Sequence, residues 1–238
     1  MLRLKLLTVS AALLLFLSQA PAAHAQQSYA NGLIRSVSSP ELQPGQGGTL
    51  SVQVANPFNG TMSNIRFTLS IYAFADGSTN RAAASIPPSR LPYFTGSGSA
   101  AETMSIASIP AGGMSSIGYP LQTNYTTPHG TFFNRATYMV SMSILFSVGH
   151  TPYRMASKGY FSSSQWQKIY VLNGSSPSLN YTYLNSTLGF AGILPDTSFG
   201  VNTPAPWSIF FGSGALAAVC AAAAFFSYRK THSRRRGR

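Results

Sequence analysis

Five asparagines carry the chain's clearest chemical signature: Asn59, Asn124, Asn173, Asn180 and Asn185 each stand two residues before Ser or Thr with no proline between. That is the acceptor pattern for N-linked glycosylation. Asn173, Asn180 and Asn185 sit close together, and glycans there would shield the chain from proteases and hold it extended. A chain rich in Asn, Ser and Thr also generates such triplets by composition, and each is then an unmodified surface asparagine.

Acid–base or hydrolytic chemistry needs carboxylates, imidazoles or an activated nucleophile brought together. The acids are Glu41, Asp76, Glu102 and Asp196, and the histidines away from the termini are His129 and His150. None forms a Gly-x-Ser-x-Gly elbow, a His-Glu-x-x-His pair or a paired-carboxylate motif. The pattern points away from catalysis, and nothing in it calls for a cofactor. Met139, Met142, His150 and Met155 offer the thioether and imidazole donors that suit copper. Met142 falls on an apolar strand face and His150 beside a turn, so packing and surface roles are expected instead of a metal site.

Tyr153, Tyr160, Phe161, Trp166 and Tyr170 crowd beside Arg154, Lys158 and Lys168. They read either as a surface for carbohydrate or protein, where rings and arginine supply binding energy, or as the last strands and core of the domain.

The elements that position these residues are strands. Leu50, Val52 and Val54 alternate with Ser51 and Gln53; Ile65, Phe67, Leu69 and Ile71 alternate with Arg66, Thr68, Ser70 and Tyr72. Ile117, Tyr119 and Leu121 form a third run, and Tyr138, Val140, Met142, Ile144 and Phe146 a fourth, opposed mainly by Ser141 and Ser143. Period-two alternation bounded by Gly, Pro and Asn is all-β grammar, and two sheets packed through such faces make a sandwich. Residues 76–101, with Pro87-Pro88 and Gly96-Ser97-Gly98-Ser99, read as a long loop inside a 26–172 domain. Residues 173–206 read as a stalk or an added strand or two, with the apolar run Leu188–Leu194 packing on the domain or on a membrane neighbour.

The stretch Glu41-Leu42-Gln43-Pro44-Gly45-Gln46-Gly47-Gly48-Thr49-Leu50 through Asn56 resembles the opening of immunoglobulin-like modules in bacterial and archaeal surface proteins, the cell-adhesion-related and S-layer-associated group. Ile109-Pro110-Ala111-Gly112-Gly113 with Ile117–Leu121, and His129-Gly130-Thr131 before Tyr138–Val140, resemble its later parts. The resemblance spans residues 30–172. It implies an immunoglobulin-like β-sandwich with a surface or adhesion-type role, and brings no catalytic residues.

Two apolar segments flank this domain. Arg3 and Lys5, an apolar run from Leu6 to Leu17, and Ala23-His24-Ala25 make a signal peptide at 1–25, its run reaching only about 18 Å as a helix. Trp207 to Tyr228 holds no charged residue and reaches about 33 Å, enough for a transmembrane helix. Arg229, Lys230, Arg234, Arg235, Arg236 and Arg238 follow, placing the 229–238 tail in the cytoplasm, beside anionic membrane lipid. Gly214, Ala218 and Ala222 fall at intervals of four, a face suited to helix packing. Those flanks hold eight of the 16 cations, so the net charge of +12 reports topology and gives no case for nucleic acid. The single cysteine, Cys220, lies in the span, leaving the ectodomain without a disulfide.

The expectation is a non-catalytic cell-surface protein at the cell membrane, its β-sandwich outside on one C-terminal transmembrane helix, partnered by other surface or integral membrane proteins. An accessory subunit of a larger membrane complex is the alternative; a membrane-anchored ligand-binding or hydrolytic domain comes third.

Overall fold

The computed structural model describes residues 32–76, 79–125, 135–173, 176–203 and 216–221. The signal peptide, the basic tail, Gly214, Ala222 and most of the 207–228 span lie outside these residues; 216–221 are helical, with Ala218 exposed. Among the described residues no helix is long and apolar enough to cross a membrane.

The strands, in chain order, are β1 (Ile34–Ser38), β2 (Glu41–Leu42), β3 (Gly47–Ala55), β4 (Met62–Asp76), β5 (Thr79–Ala82), β6 (Tyr93–Phe94), β7 (Ala101–Ile109), β8 (Met114–Gln122), β9 (Arg135–Val148), β10 (Thr151–Ser157), β11 (Tyr170–Asn173), β12 (Ser176–Leu179), β13 (Gly192–Leu194) and β14 (Thr197–Asn202). One sheet runs β1-β3-β8-β6; the larger one is centred on β4 and β9; β11 and β12 form a separate hairpin. The two sheets face each other through the residues that the alternation marks. Leu50, Val52 and Val54 of β3 and Tyr119 and Leu121 of β8 are buried with Phe67, Leu69 and Ile71 of β4 and Tyr138, Val140, Met142, Ile144 and Phe146 of β9. Each fully buried Leu, Ile, Val or Phe contributes about 1.5–3 kcal/mol of transfer free energy.

Tyr119 lies between the rings of Phe67 and Phe94, and its hydroxyl donates to the Phe67 carbonyl at 2.6 Å. Burial raises its pKa, the neutral phenol being the form that a buried site accepts. Tyr138 stacks between Phe74 and Phe199, and burial raises its pKa as well.

β4 and β9 are longer than any neighbour, so each changes partner midway. β9 pairs with β14 over residues 135–140 and with β10 over 143–148. At the join, the Met142 N–H donates to the buried Ser157 hydroxyl at 2.8 Å. β4 pairs with β7 and then β5, and there the Ile71 N–H donates to the Ala100 carbonyl at 2.8 Å. A buried amide left unpaired costs about 1–3 kcal/mol, and these two bonds remove that cost at both seams. Against β9, the register of β4 slips between Ser63 and Arg66 and again between Ile71 and Ala73. Asn64, in the first slip, has φ +52°, a conformation that Asn tolerates better than most residues.

The turns seen in sequence sit where expected. Gly45 takes φ +79° between β2 and β3, and Gly112 takes φ +69° between β7 and β8. Asn56, closing β3, is buried: its side chain donates to the carbonyls of Gly60 and Ile109 and accepts from the Phe58 N–H.

One sequence expectation changes and another is resolved. Residues 76–101 are not a loop throughout. Asp76 ends β4, β5 folds back on it, and after two turns β6 joins the four-stranded sheet, with Ala83, Ile86 and Phe94 buried. Apolar anchors spaced among Gly, Ser and Pro turn this stretch into a crossover between the sheets. For residues 173–206, read as a stalk or an added strand or two, the described residues 176–203 supply β12, β13 and β14. β14 inserts between β9 and β2 with Phe199 and Val201 buried, extending the folded body beyond residue 172 to Asn202. After β10 comes a short helix, Ser163–Ile169, whose Ser162 and Gln165 form a reciprocal cap.

Candidate functional site

Where β4 and β9 turn apolar side chains inward, the same alternation turns Arg66, Thr68, Ser70 and Tyr72, and Met139, Ser141, Ser143, Leu145 and Ser147, to the outer face. β7 adds Thr103, Ser105 and Ala107, and β10 adds Pro152 and Arg154. Two grooves share Arg66 and Leu145 on this face. One of about 580 Å³ is lined by Asn64, Ser105, Ser147 and Pro152 among others. The other, about 360 Å³, lies among Arg66, Thr68, Thr103, Ser143 and Arg154. Thr68 and Thr103 hydroxyls hydrogen-bond across the floor at 2.8 Å.

One end of the face is covered by a second, smaller core. Ala156, Phe161, Ile169, Leu184 and Phe190 are buried together, with Trp166, Leu179, Tyr183, Leu188 and Ile193 against them. The Arg154 guanidinium lies 4.5 Å from the Phe190 ring centre and 5.4 Å from that of Tyr160, and donates to the Tyr160 hydroxyl. These contacts hold the cation in place beside the smaller groove. A third groove, about 380 Å³, is bounded by Tyr72, Lys158, Phe161, Trp166 and Gln167. Trp166 stacks on Tyr170 at 5.8 Å between ring centres, and Tyr170 is 40% exposed.

Asp196 joins the small core to the sheet. It accepts from the Tyr72 hydroxyl at 3.2 Å and from the Gly159 N–H at 3.1 Å. Burial first, then the adjacent Asp196 carboxylate, push the Tyr72 pKa up to about 12. The Tyr72 ring occupies the space where a side chain at 159 would begin.

The aromatic crowd therefore divides. Tyr153 stacks on Phe146 and lies tilted against Phe58 beside the main core; Phe161 is buried in the second; Tyr160 and Tyr170 stay partly exposed. Leu188 and Ile193 are used in the second core, so the 188–194 run packs on its own domain. The four residues weighed for copper do not converge. Met139 is on the outer face, Met142 and Met155 face the main core, and His150 is exposed in the β9–β10 turn. Among the described residues no group of three or more His, Cys, Asp or Glu is placed to hold a metal.

Of the sequon asparagines, Asn59, Asn180 and Asn185 are exposed. Asn180 accepts from the Tyr183 N–H at 3.0 Å through its carbonyl oxygen. The Asn124 nitrogen instead donates to the Leu91 carbonyl at 2.8 Å. Asn173 ends β11, and its side chain is outside the described residues.

Arg66 and the hydroxyls of β7 were not singled out from sequence. The signal was present in Thr103-x-Ser105-x-Ala107 against Met104 and Ile106, but Glu102 breaks the pattern by occupying the inward side, where it is only 7% exposed.

No protein-family model and no curated protein sequence matches the chain. Among solved structures, it is similar to a PapD-like domain of human CEP192, with a TM-score of 0.29 at 8% identity over 58% of this chain and 92% of that one. It is also similar to AvmM, described as catalysing macrocyclisation in alchivemycin A biosynthesis, with a TM-score of 0.28 at 12% identity over 76% of this chain and 96% of that one. Likenesses this distant carry no argument about function.

Proposed function

We propose that the chain is a non-catalytic interaction module of the cell surface, held outside the membrane by the 207–228 segment, and that it contacts other surface components through the outer face of its larger sheet. The observation that carries this reading is the outer face itself: a groove lined by hydroxyls and arginines, built on β4 and β9, whose other face is buried in the apolar core. A stability role would not require cations there, since exposed charges add little to folding. The family resemblance in the Pro44-Gly45 and Gly112-Gly113 turns supports a surface role, and the apolar segment with its basic flank supports the anchor. An accessory-subunit role is less well supported, because the 188–194 run that would dock on a membrane neighbour is occupied within the domain.

Protease added to intact cells tests the topology. Digestion of the 32–203 body with survival of a short membrane-embedded fragment is expected; full protection of the body would refute the surface reading. Mild-detergent purification then separates the roles, because stoichiometric recovery with an integral membrane enzyme would favour the subunit.

A further inference from the structure

We infer that the groove between Arg66 and Arg154 is a binding site for an acidic saccharide, seating a carboxylate or sulfate between the two guanidiniums. This rests on the outer face being the contact surface, but not on the membrane anchor. Both arginines line the groove, and no acid does. Each of the chain's four carboxylates is engaged or placed elsewhere. Glu41 pairs with Arg135 and Asn202; Asp196 accepts from Tyr72 and Gly159; Glu102 is turned inward; Asp76 ends β4, ten positions beyond Arg66 and about 30 Å away along an extended strand.

The groove therefore holds two cations and no carboxylate, and one of the cations is already ordered. Arg154 is held by Tyr160 and Phe190, so little side-chain freedom is lost when an anion arrives. The register sets Arg66 and Arg154 on either side of the exposed Leu145, and the hydroxyls of Thr68, Thr103 and Ser143, which both donate and accept and so match a sugar's own hydroxyls, line the next step of the groove along the strands. The shared wall at Arg66 and Leu145 continues the site into the larger groove, where Asn64, Ser105 and Ser147 stand among Ala107, Pro152 and other apolar residues, giving room for more than one sugar ring with its apolar face against them. An acidic peptide would meet the hydroxyls with one backbone donor and one acceptor per residue, whereas a sugar ring presents several hydroxyls at once, and hexaglutamate against hexagalacturonate separates the two.

The test is calorimetric titration of the full-length chain in detergent with hexagalacturonate, maltohexaose and hexaglutamate, at low and high salt. Hexagalacturonate should bind and weaken with salt, and the other two should bind at least about tenfold more weakly. Arg66→Gln should weaken hexagalacturonate binding by about tenfold with an unchanged melting temperature, Arg66 being exposed. Arg154→Lys keeps the charge but loses the planar fork, and should weaken binding by a smaller factor. Equal binding of maltohexaose, equal or tighter binding of hexaglutamate, no binding of hexagalacturonate, or unchanged affinity in Arg66→Gln would each overturn the assignment. A failed topology test with this result intact would remove the surface location and leave the site.

Discussion

The two faces of the β4–β9 pair share one backbone and differ in almost everything else. Inward, Phe67, Leu69, Ile71, Val140, Met142, Ile144 and Phe146 are buried in a continuous apolar core. Outward, Arg66, Thr68, Ser143 and Leu145 border open grooves, and Leu145 is 43% exposed. The contrast teaches that the inner face determines whether the chain folds, while the outer face is free to carry recognition. Substitutions on the two faces should therefore fall into separate classes.

The largest loss is expected inside. Phe67→Ala, and Phe199→Ala on β14, should each lower unfolding free energy by about 3–5 kcal/mol in a denaturant titration. The second substitution also tests whether residues beyond 172 belong to the fold, because a detached β14 would give almost no effect. Asn56→Ala removes three hydrogen bonds at a buried corner and should cost about 2–3 kcal/mol by the same measurement. Thr103→Ala and Ser105→Ala, on the outer face, should stay within about 0.5 kcal/mol of the parent. A large loss there would erase the distinction between the faces.

A further effect is in pH. Tyr72 ionises near 10 in the unfolded chain and about 12 in the folded one, so its contribution is full below pH 10. Between pH 10 and 12 the unfolded state releases the proton first, and stability falls. The buried phenols of Tyr119 and Tyr138 titrate in the same direction, so Tyr72→Phe should reduce the alkaline loss of melting temperature without abolishing it.

The sandwich was legible because its central strands alternate without interruption; every residue of the Phe67–Ile71 and Tyr138–Phe146 inner sets is buried as expected. The edges were less legible for identifiable reasons. Glu102 places a carboxylate on the inward side of β7, Pro152 and Arg154 disguise β10, and Gly200 interrupts β14 where its backbone meets the Glu41 side chain. β6 is two residues long and is held by one buried ring, Phe94, within a stretch that composition marks as loop. The site was harder still. Arg66 and Arg154 stand 88 positions apart in sequence, and only the pairing of β4 with β9 and of β9 with β10 brings them to one groove.

Partners should meet the outer face of the larger sheet. Photocrosslinking on intact cells tests it directly, with a benzophenone side chain placed at Ser105 on that face or at Ser116, exposed on the four-stranded sheet. Adducts from position 105 and few or none from 116 are predicted. Adducts from 116 alone, or equal yields from both, would contradict it.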